Sequence, residues 1–340
     1  MNKSSLRRAP SLIWAIVLLL GCAFTLPVLP YLWTAANTEA ASLDATENNP
    51  RANFWRSVRT GTEGYTAIRG TDADVLINNS GQNWRQFRMR ILAPYGGLMM
   101  AAVVFIIAVF YALRGPIRFR SDGSEELVLR FSVYQRVIHW FTAILFWILA
   151  LTGLILLYGR FVLIPLFGSS GFALSASASK EAHNLFGPIF IVALILMTIG
   201  YALDNFYQKG DLAWLLKGGG MLGRHASAGR FNFGEKIWFW LVLICGTAIS
   251  ISGMILDFSI LGFGRNTLEM AHVFHGVAAL ILISAAFGHV YLGTVGTKGT
   301  LRGMTTGYVE QSWAKVHHDR WLTELSKSPE HQSLQVPRDE

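Results

Sequence analysis

The chain has 340 residues, 52% of them hydrophobic and only 15% charged, against about 25% charged in an average soluble domain. That composition belongs to a membrane protein. The net charge of +8 does not argue for nucleic acid, because the basic residues fall between apolar runs, where topology signals sit. The two cysteines, Cys22 and Cys245, lie inside apolar runs and exclude a disulfide framework or a thiolate cluster site.

Six charge-free runs follow one another along the chain: 9–38, 91–113, 137–159, 182–203, 237–256 and 270–297. Each reaches the ~20 residues that a helix needs to cross ~30 Å of hydrocarbon. The first follows Lys3, Arg7 and Arg8 and precedes small polar residues, which is the layout of a signal peptide. Its length, with Pro27 and Pro30, leaves an uncleaved first span as the alternative, so 1–38 is a signal peptide or a first transmembrane span. Residues 39–90 are polar and, with the N-terminus inside, form a periplasmic segment. Within it Val75–Ile77 is a short strand candidate and Asn78–Gly81 a turn. A transmembrane helix over 91–113 comes next.

The later loops set the orientation. Arg114, Arg118, Arg120, Arg130 and Arg136 fill the loop 114–136, whereas the loop at about 159–181 has only Arg160 and Lys180. Lys209, Lys217, Arg224, Arg230 and Lys236 fill 204–236, and 257–269 has only Arg265. The tail 298–340 carries Lys298, Arg302, Lys315 and Arg320. By the positive-inside rule the loops 114–136 and 204–236 and the tail are cytoplasmic. The chain is then an all-α integral membrane protein, with a four-helix core over 137–297 and one additional N-terminal helix.

Four histidines lie near the ends of these spans: His139, His183, His275 and His289. On this topology His139 and His289 share an inner level, and His183 and His275 an outer one. Two imidazoles from facing helices at each level are what bis-histidine ligation of two b haems requires. The last helix must then present both of its ligands on one face. His275 and His289 are fourteen residues apart, which leaves a phase error of roughly 40° and a rise of about 21 Å. His272 is about 100° out of phase with His289 and reads as a packing residue or one behind the ligands. His225, His317, His318 and His331 read as solvated residues of basic loops. Gly153, Gly187, Gly253, Gly276 and Gly288 fit close approach of helices or of a flat macrocycle. Trp140, Trp147, Trp238 and Trp240 fit interfacial belts.

The stretches RVIHW (136–140), EAHNLFG (181–187), GRFNFGEK (229–236) and HGVAALILISAAFGH (275–289), with the tail KGTLRGMTTGYVEQSWAKVHHDRW (298–321), resemble the gamma, or cytochrome b, subunit of respiratory formate dehydrogenase. The N-terminal extension resembles that of its longer forms. The resemblance implies that His183 and His275 hold an outer haem b and His139 and His289 an inner one. It implies a place in the bacterial cytoplasmic membrane and a quinone near the inner haem at Asn232, Gly234 and His289. It also implies an iron–sulfur (beta) subunit and a catalytic molybdenum or tungsten (alpha) subunit as partners, because this chain has no site for formate oxidation. Electrons would enter at the outer haem and leave to the quinone, with protons from the cytoplasm. Glu235 and Asp204 are the nearest acids for that, against a plainer reading as solvated carboxylates, and Asn232 has a plainer reading as a helix start. Two other classes stay open: a cytochrome b serving a Ni-Fe hydrogenase or another periplasmic oxidoreductase, and a non-redox anchor or metal transporter.

Overall fold

The computed structural model describes residues 56, 79–117, 126–220 and 225–327. The signal-peptide region, the strand expected over 75–77 and His331 lie outside them. The first element is α1 (Asn79–Phe87), which runs through a widened π-helical turn (Arg88–Leu92) into α2 (Ala93–Arg114). The NNSG stretch is thus largely the start of a helix and not a turn. Asn and Ser hydrogen-bond nearby backbone as readily at a helix start as in a turn. Pro94, which has no N–H for the helical ladder, stands directly after the π turn.

The next helix, α3 (Val133–Tyr201), starts on a capping box: Ser132 accepts from the Gln135 backbone N–H, and the Gln135 side chain accepts from that of Ser132. It absorbs two of the apolar runs. At Gly168 the backbone leaves helical geometry (φ 70°, ψ 178°), a conformation open to glycine and costly for residues with a Cβ. The chain reverses there into two arms, 133–167 and 169–201. The stretch 159–181, expected to be a loop, is therefore helical almost throughout. A loop poor in charge and rich in Ala, Leu and Phe has no reason to unwind.

After a short α4 (Asp211–Leu216) come α5 (Phe233–Asp257) and α6 (Arg265–Tyr291). Among the described residues, four stretches are long and apolar enough to cross a membrane: 81–114, 133–205, 233–257 and 265–296. Counting the two arms of α3 separately gives five membrane-length helices among the described residues. Their outer faces are bare hydrocarbon: Phe105 is 69% exposed and Ile199 69%. Faces of that kind are stable in lipid and not in water.

The centre of the bundle is an apolar plug of Leu194, Val242, Cys245, Ala278 and Leu282. A second cluster, Phe87, Leu92, Val273, Val277 and Leu280, fastens α1 and α2 to α6. Small residues set that contact: a Cβ at Gly276 would lie 2.8 Å from Leu92, and one at Gly96 would collide with Leu280. Tyr158 on α3 donates to the Ala93 carbonyl (2.8 Å).

The tail folds under one end of the bundle. The strand β1 (Leu127–Leu129) pairs antiparallel with β2 (Tyr308–Glu310), Val128 opposite Val309, an addition to the all-α plan. Helices α7 (Thr300–Thr306), α8 (Gln311–His317) and α9 (Asp319–Ser326) flank β2. Trp140 Nε1–H and Arg136 donate to the carbonyls of Met304 and Thr305, which pins the tail to the start of α3. This end is called the tail end below, and the turn at Gly168 marks the hairpin end.

At the tail end Lys236 of α5 and Asp211 of α4 form an ion pair of 2.8 Å with side chains 2% and 1% exposed. Removing Lys236 leaves the buried Asp211 with the Gln208 N–H and a longer contact to Arg320 (3.7 Å). Lys236→Met is expected to cost about 3–5 kcal/mol, read as a lower thermal midpoint in detergent, and the double variant Lys236→Met/Asp211→Leu is expected to recover much of it.

Candidate functional site

The hydroxyl-then-glycine order recurs on two helices at the hairpin end, and each copy seats one histidine. On α3, Thr152 Oγ1 donates back to the Ile148 carbonyl (2.8 Å) and lies 2.8 Å from His183 Nδ1. With its proton so used, the hydroxyl accepts from Nδ1–H. A Cβ at the next residue, Gly153, would lie 3.4 Å from the His183 ring. On α5, Ser252 Oγ (3.2 Å) and the Ile249 carbonyl (3.1 Å) meet His275 Nδ1. A carbonyl only accepts, so this Nδ1 carries the proton too. At Gly253 a Cβ would lie 3.2 Å from the His275 ring. In both rings Nε2 is left with its lone pair, the tautomer that a metal ligand needs.

The two rings face one another with centroids 5.9 Å apart. Two imidazoles on opposite sides of one metal ion stand roughly 6 Å apart, given metal–nitrogen bonds of about 2 Å. At the tail end His139 and His289 repeat the spacing at 6.2 Å, and His139 Nδ1 is buried with no hydrogen-bond partner. Among the described residues no three His, Cys, Asp or Glu side chains gather around a metal position. Two protein ligands suffice only if the group itself supplies the remainder, as a tetrapyrrole does.

Space accompanies the His183–His275 pair. A cavity of about 540 Å³, within the usual 300–1,000 Å³ of cofactor pockets, is lined by both rings and by Gly153, Gly187, Gly253 and Gly276. Ser250 Oγ, also in its wall, is buried without a partner. The residues present fit a bis-histidine haem. His272 lines the same cavity but does not oppose His183; its ring stacks on Trp84 of α1 (5.1 Å, 12°). Of the other glycines noted above, Gly187 and Gly288 meet open space and Gly276 meets Leu92.

The tail end differs in its surroundings. Trp238 lies flat on His289 at 4.6 Å and 11°, so this indole is part of the site and not only of an interfacial belt. Nothing in its spacing announced that, because a tryptophan near the end of a span suits both roles. Trp140 meets His139 edge-on, and Trp147 stacks on Phe287. Trp240 donates to the Asn205 carbonyl. Gly234 is four residues before Trp238 on α5, and a Cβ there would lie 3.1 Å from Trp214. Asn232 caps α5: its Oδ1 accepts from Glu235 N–H (3.0 Å), and Glu235 Oε2 accepts from Asn232 N–H (2.9 Å).

Around that cap runs a dense polar layer. Arg130, sandwiched between Phe131 and Trp313, donates to Glu235 (2.9 Å), and Arg230 donates to Asp204 (2.8 Å). Glu235 and Asp204 are therefore bonded counterions that keep part of their surface in solvent, 31% and 35% exposed. His318 departs from expectation further. It is 1% exposed, its Nδ1–H donates to the Gly229 carbonyl (2.8 Å), and it packs on Trp313 and Trp321. The sequence HHD in a basic tail resembled a solvated loop, but Trp313 and Trp321 fold over it. Among the described loop and tail histidines, His225 behaves as a surface residue, pairing with Asp319 at 3.1 Å.

The prokaryotic cytochrome b561 family pattern matches residues 130–307, a span that contains both histidine pairs. The chain belongs to that family. Among curated proteins, this cytochrome b561 member is 28% identical over 211 residues to "Formate dehydrogenase, cytochrome b556(fdo) subunit" of Escherichia coli, covering 61% of this chain and 97% of that one. It is 29% identical over 213 residues to the nitrate-inducible cytochrome b556(Fdn) subunit of the same organism, with 61% and 95% covered. The cytochrome b556 subunit of Haemophilus influenzae is 28% identical over 221 residues, with 61% and 88% covered. In this b561 chain α1 and α2 precede the matched span. Membership carries electron transfer within the membrane and haem b as its vehicle.

Burial keeps His318 neutral, assisted by Arg130, and holds its proton affinity well below the ordinary 6.5; burial lowers His317 to about 4. The unfolded chain takes up these protons near pH 6.5, before the folded cap does, so acid favours unfolding. The contribution to stability is whole above about 6.5 and declines toward pH 4. Thermal midpoints taken between pH 7.5 and 5 are expected to fall, and His318→Gln is expected to flatten the slope.

Proposed function

We propose that the chain is the membrane electron-transfer subunit of a formate dehydrogenase. In this reading it links an iron–sulfur subunit, and beyond it a molybdenum or tungsten catalytic subunit, on the periplasmic side to a quinone on the cytoplasmic side. The hairpin end is then the periplasmic end, and the tail end with the C-terminus is cytoplasmic. The observation that carries this is a single helix, α6, whose two histidines each face a partner imidazole at about 6 Å, at two levels. The printed names of the relatives supply the formate dehydrogenase assignment and favour it over a hydrogenase partner.

Bound haem supplies a one-electron couple at iron. What the chain supplies is ligands, orientation and exclusion of water. His183 and His275 offer Nε2 at the outer level, their rings oriented by Thr152, Ser252 and the Ile249 carbonyl. His139 and His289 do so at the inner level, with Trp238 holding the His289 plane. The plug of Leu194, Val242, Cys245, Ala278 and Leu282 keeps water out of the space between levels. Asn232 and Gly234, with His289, are proposed to receive the quinone. The Asn232 cap fixes its carboxamide through Oδ1 and leaves Nδ2–H₂ to donate to a quinone carbonyl.

A pyridine-haemochrome assay is expected to find two b haems per chain, and a chain with none would end this reading. His183→Ala or His275→Ala should each remove one, His139→Ala or His289→Ala the other, while His272→Ala keeps both. Thr152→Val should weaken haem retention at the outer level by about 10–100-fold, the usual cost of losing a group that orients a ligand. Formate-dependent quinone reduction by the copurified complex tests the partners.

A further inference from the structure

The segment N-terminal to the family-matched span contributes one cation to the outer cavity. Arg88 lies in the π-helical turn Arg88–Leu92, the one widened turn between α1 and α2. Turns of that kind are frequently found where a helix meets a functional site. Its side chain is half-buried and lines the cavity that holds His183 and His275. Of its five N–H donors, Nη2 donates to the Leu156 carbonyl at 2.9 Å. Among the described residues no carboxylate pairs with it: the acid in the same wall, Asp257, is not within ion-pair distance. Lys180 is the other cation of the rim. Trp84, one turn before Arg88, is stacked on His272, which fixes this end of the helix against α6.

An arginine without a carboxylate partner at the edge of an apolar, membrane-embedded cavity is costly unless something anionic meets it. The group that this cavity fits, a haem, carries two carboxylates on one edge, and a guanidinium is matched to a carboxylate in shape and charge. We propose that Arg88 is the receptor for a propionate carboxylate of the outer haem, and that its charge raises that haem's midpoint potential. A positive charge beside the haem favours the reduced, less positive iron. The proposal rests on the reading of His183 and His275 as haem ligands. It makes α1 and α2 part of the electron path and not only an anchor.

The test is a spectroelectrochemical titration of the purified complex, with haem counted in the same samples. Arg88→Gln is expected to retain two haems and to shift one midpoint negative by about tenfold in the reduction equilibrium, or ~59 mV for one electron. The other midpoint should not move. Arg88→Lys should restore most of the shift, and Arg114→Gln, at the exposed far end of α2, should change nothing. Two haems with unmoved midpoints in Arg88→Gln would overturn the proposal, as would binding of a lipid headgroup in place of the propionate, which leaves the potentials alone. If Arg88→Gln loses a haem, Arg88→Lys decides: retention of that haem supports a charge contact, and its loss overturns it. Failure of the underlying reading looks different, since His183→Ala would then keep the full haem count.

Discussion

Everything in this bundle depends on putting imidazoles inside hydrocarbon without stranding them. At the hairpin end each ring has its N–H accepted, since an unmet polar group there costs several kcal/mol, whereas His139 Nδ1 at the tail end has no hydrogen-bond partner. At the hairpin end the protein accepts the N–H with a hydroxyl or a carbonyl one helix away and places a glycine where the ring must sit. That arrangement recurs on two helices, Thr152–Gly153 and Ser252–Gly253. The two rings of each pair stand about 6 Å apart, a gap suited to a metal. Close helix approach, small residues and apolar fill are consequences of this requirement.

The histidine pairs were legible in the sequence because they obey two simple rules. Membrane-length runs give depth, and helical phase gives direction. His275 and His289 satisfy both, and His272 fails the second; in the structure it turns to Trp84. The helix start at Asn232 was also readable, since N-x-x-E places an amide three residues before a reciprocating side chain.

What was not legible is instructive. The turn at Gly168 is hidden because charge counting identifies a segment outside the membrane but is silent on whether it stays helical. The pairing of β1 with β2 joins residues far apart in sequence, and three-residue strands carry no period. His318 and Trp238 were misplaced for one reason: local composition describes a neighbourhood along the chain, and their surroundings are assembled from elsewhere. For Trp238 that neighbour is the His289 ring, and for His318 it is Gly229, Trp313 and Trp321.

The wall of the outer cavity has a consequence for how the protein is made. Its lining comes from the π turn ahead of α2 and from α6, the earliest and the latest of the five membrane-length helices to leave the ribosome. The arms of α3 and helix α5 supply Gly153, His183 and Gly253, but His275 arrives only with α6. The pocket therefore lacks one wall until α6 is made, and that wall is completed when α6 docks with Gly276 against Leu92 and Leu280 against Gly96. Order of insertion thus reserves this level for a group that enters late, into an almost finished fold.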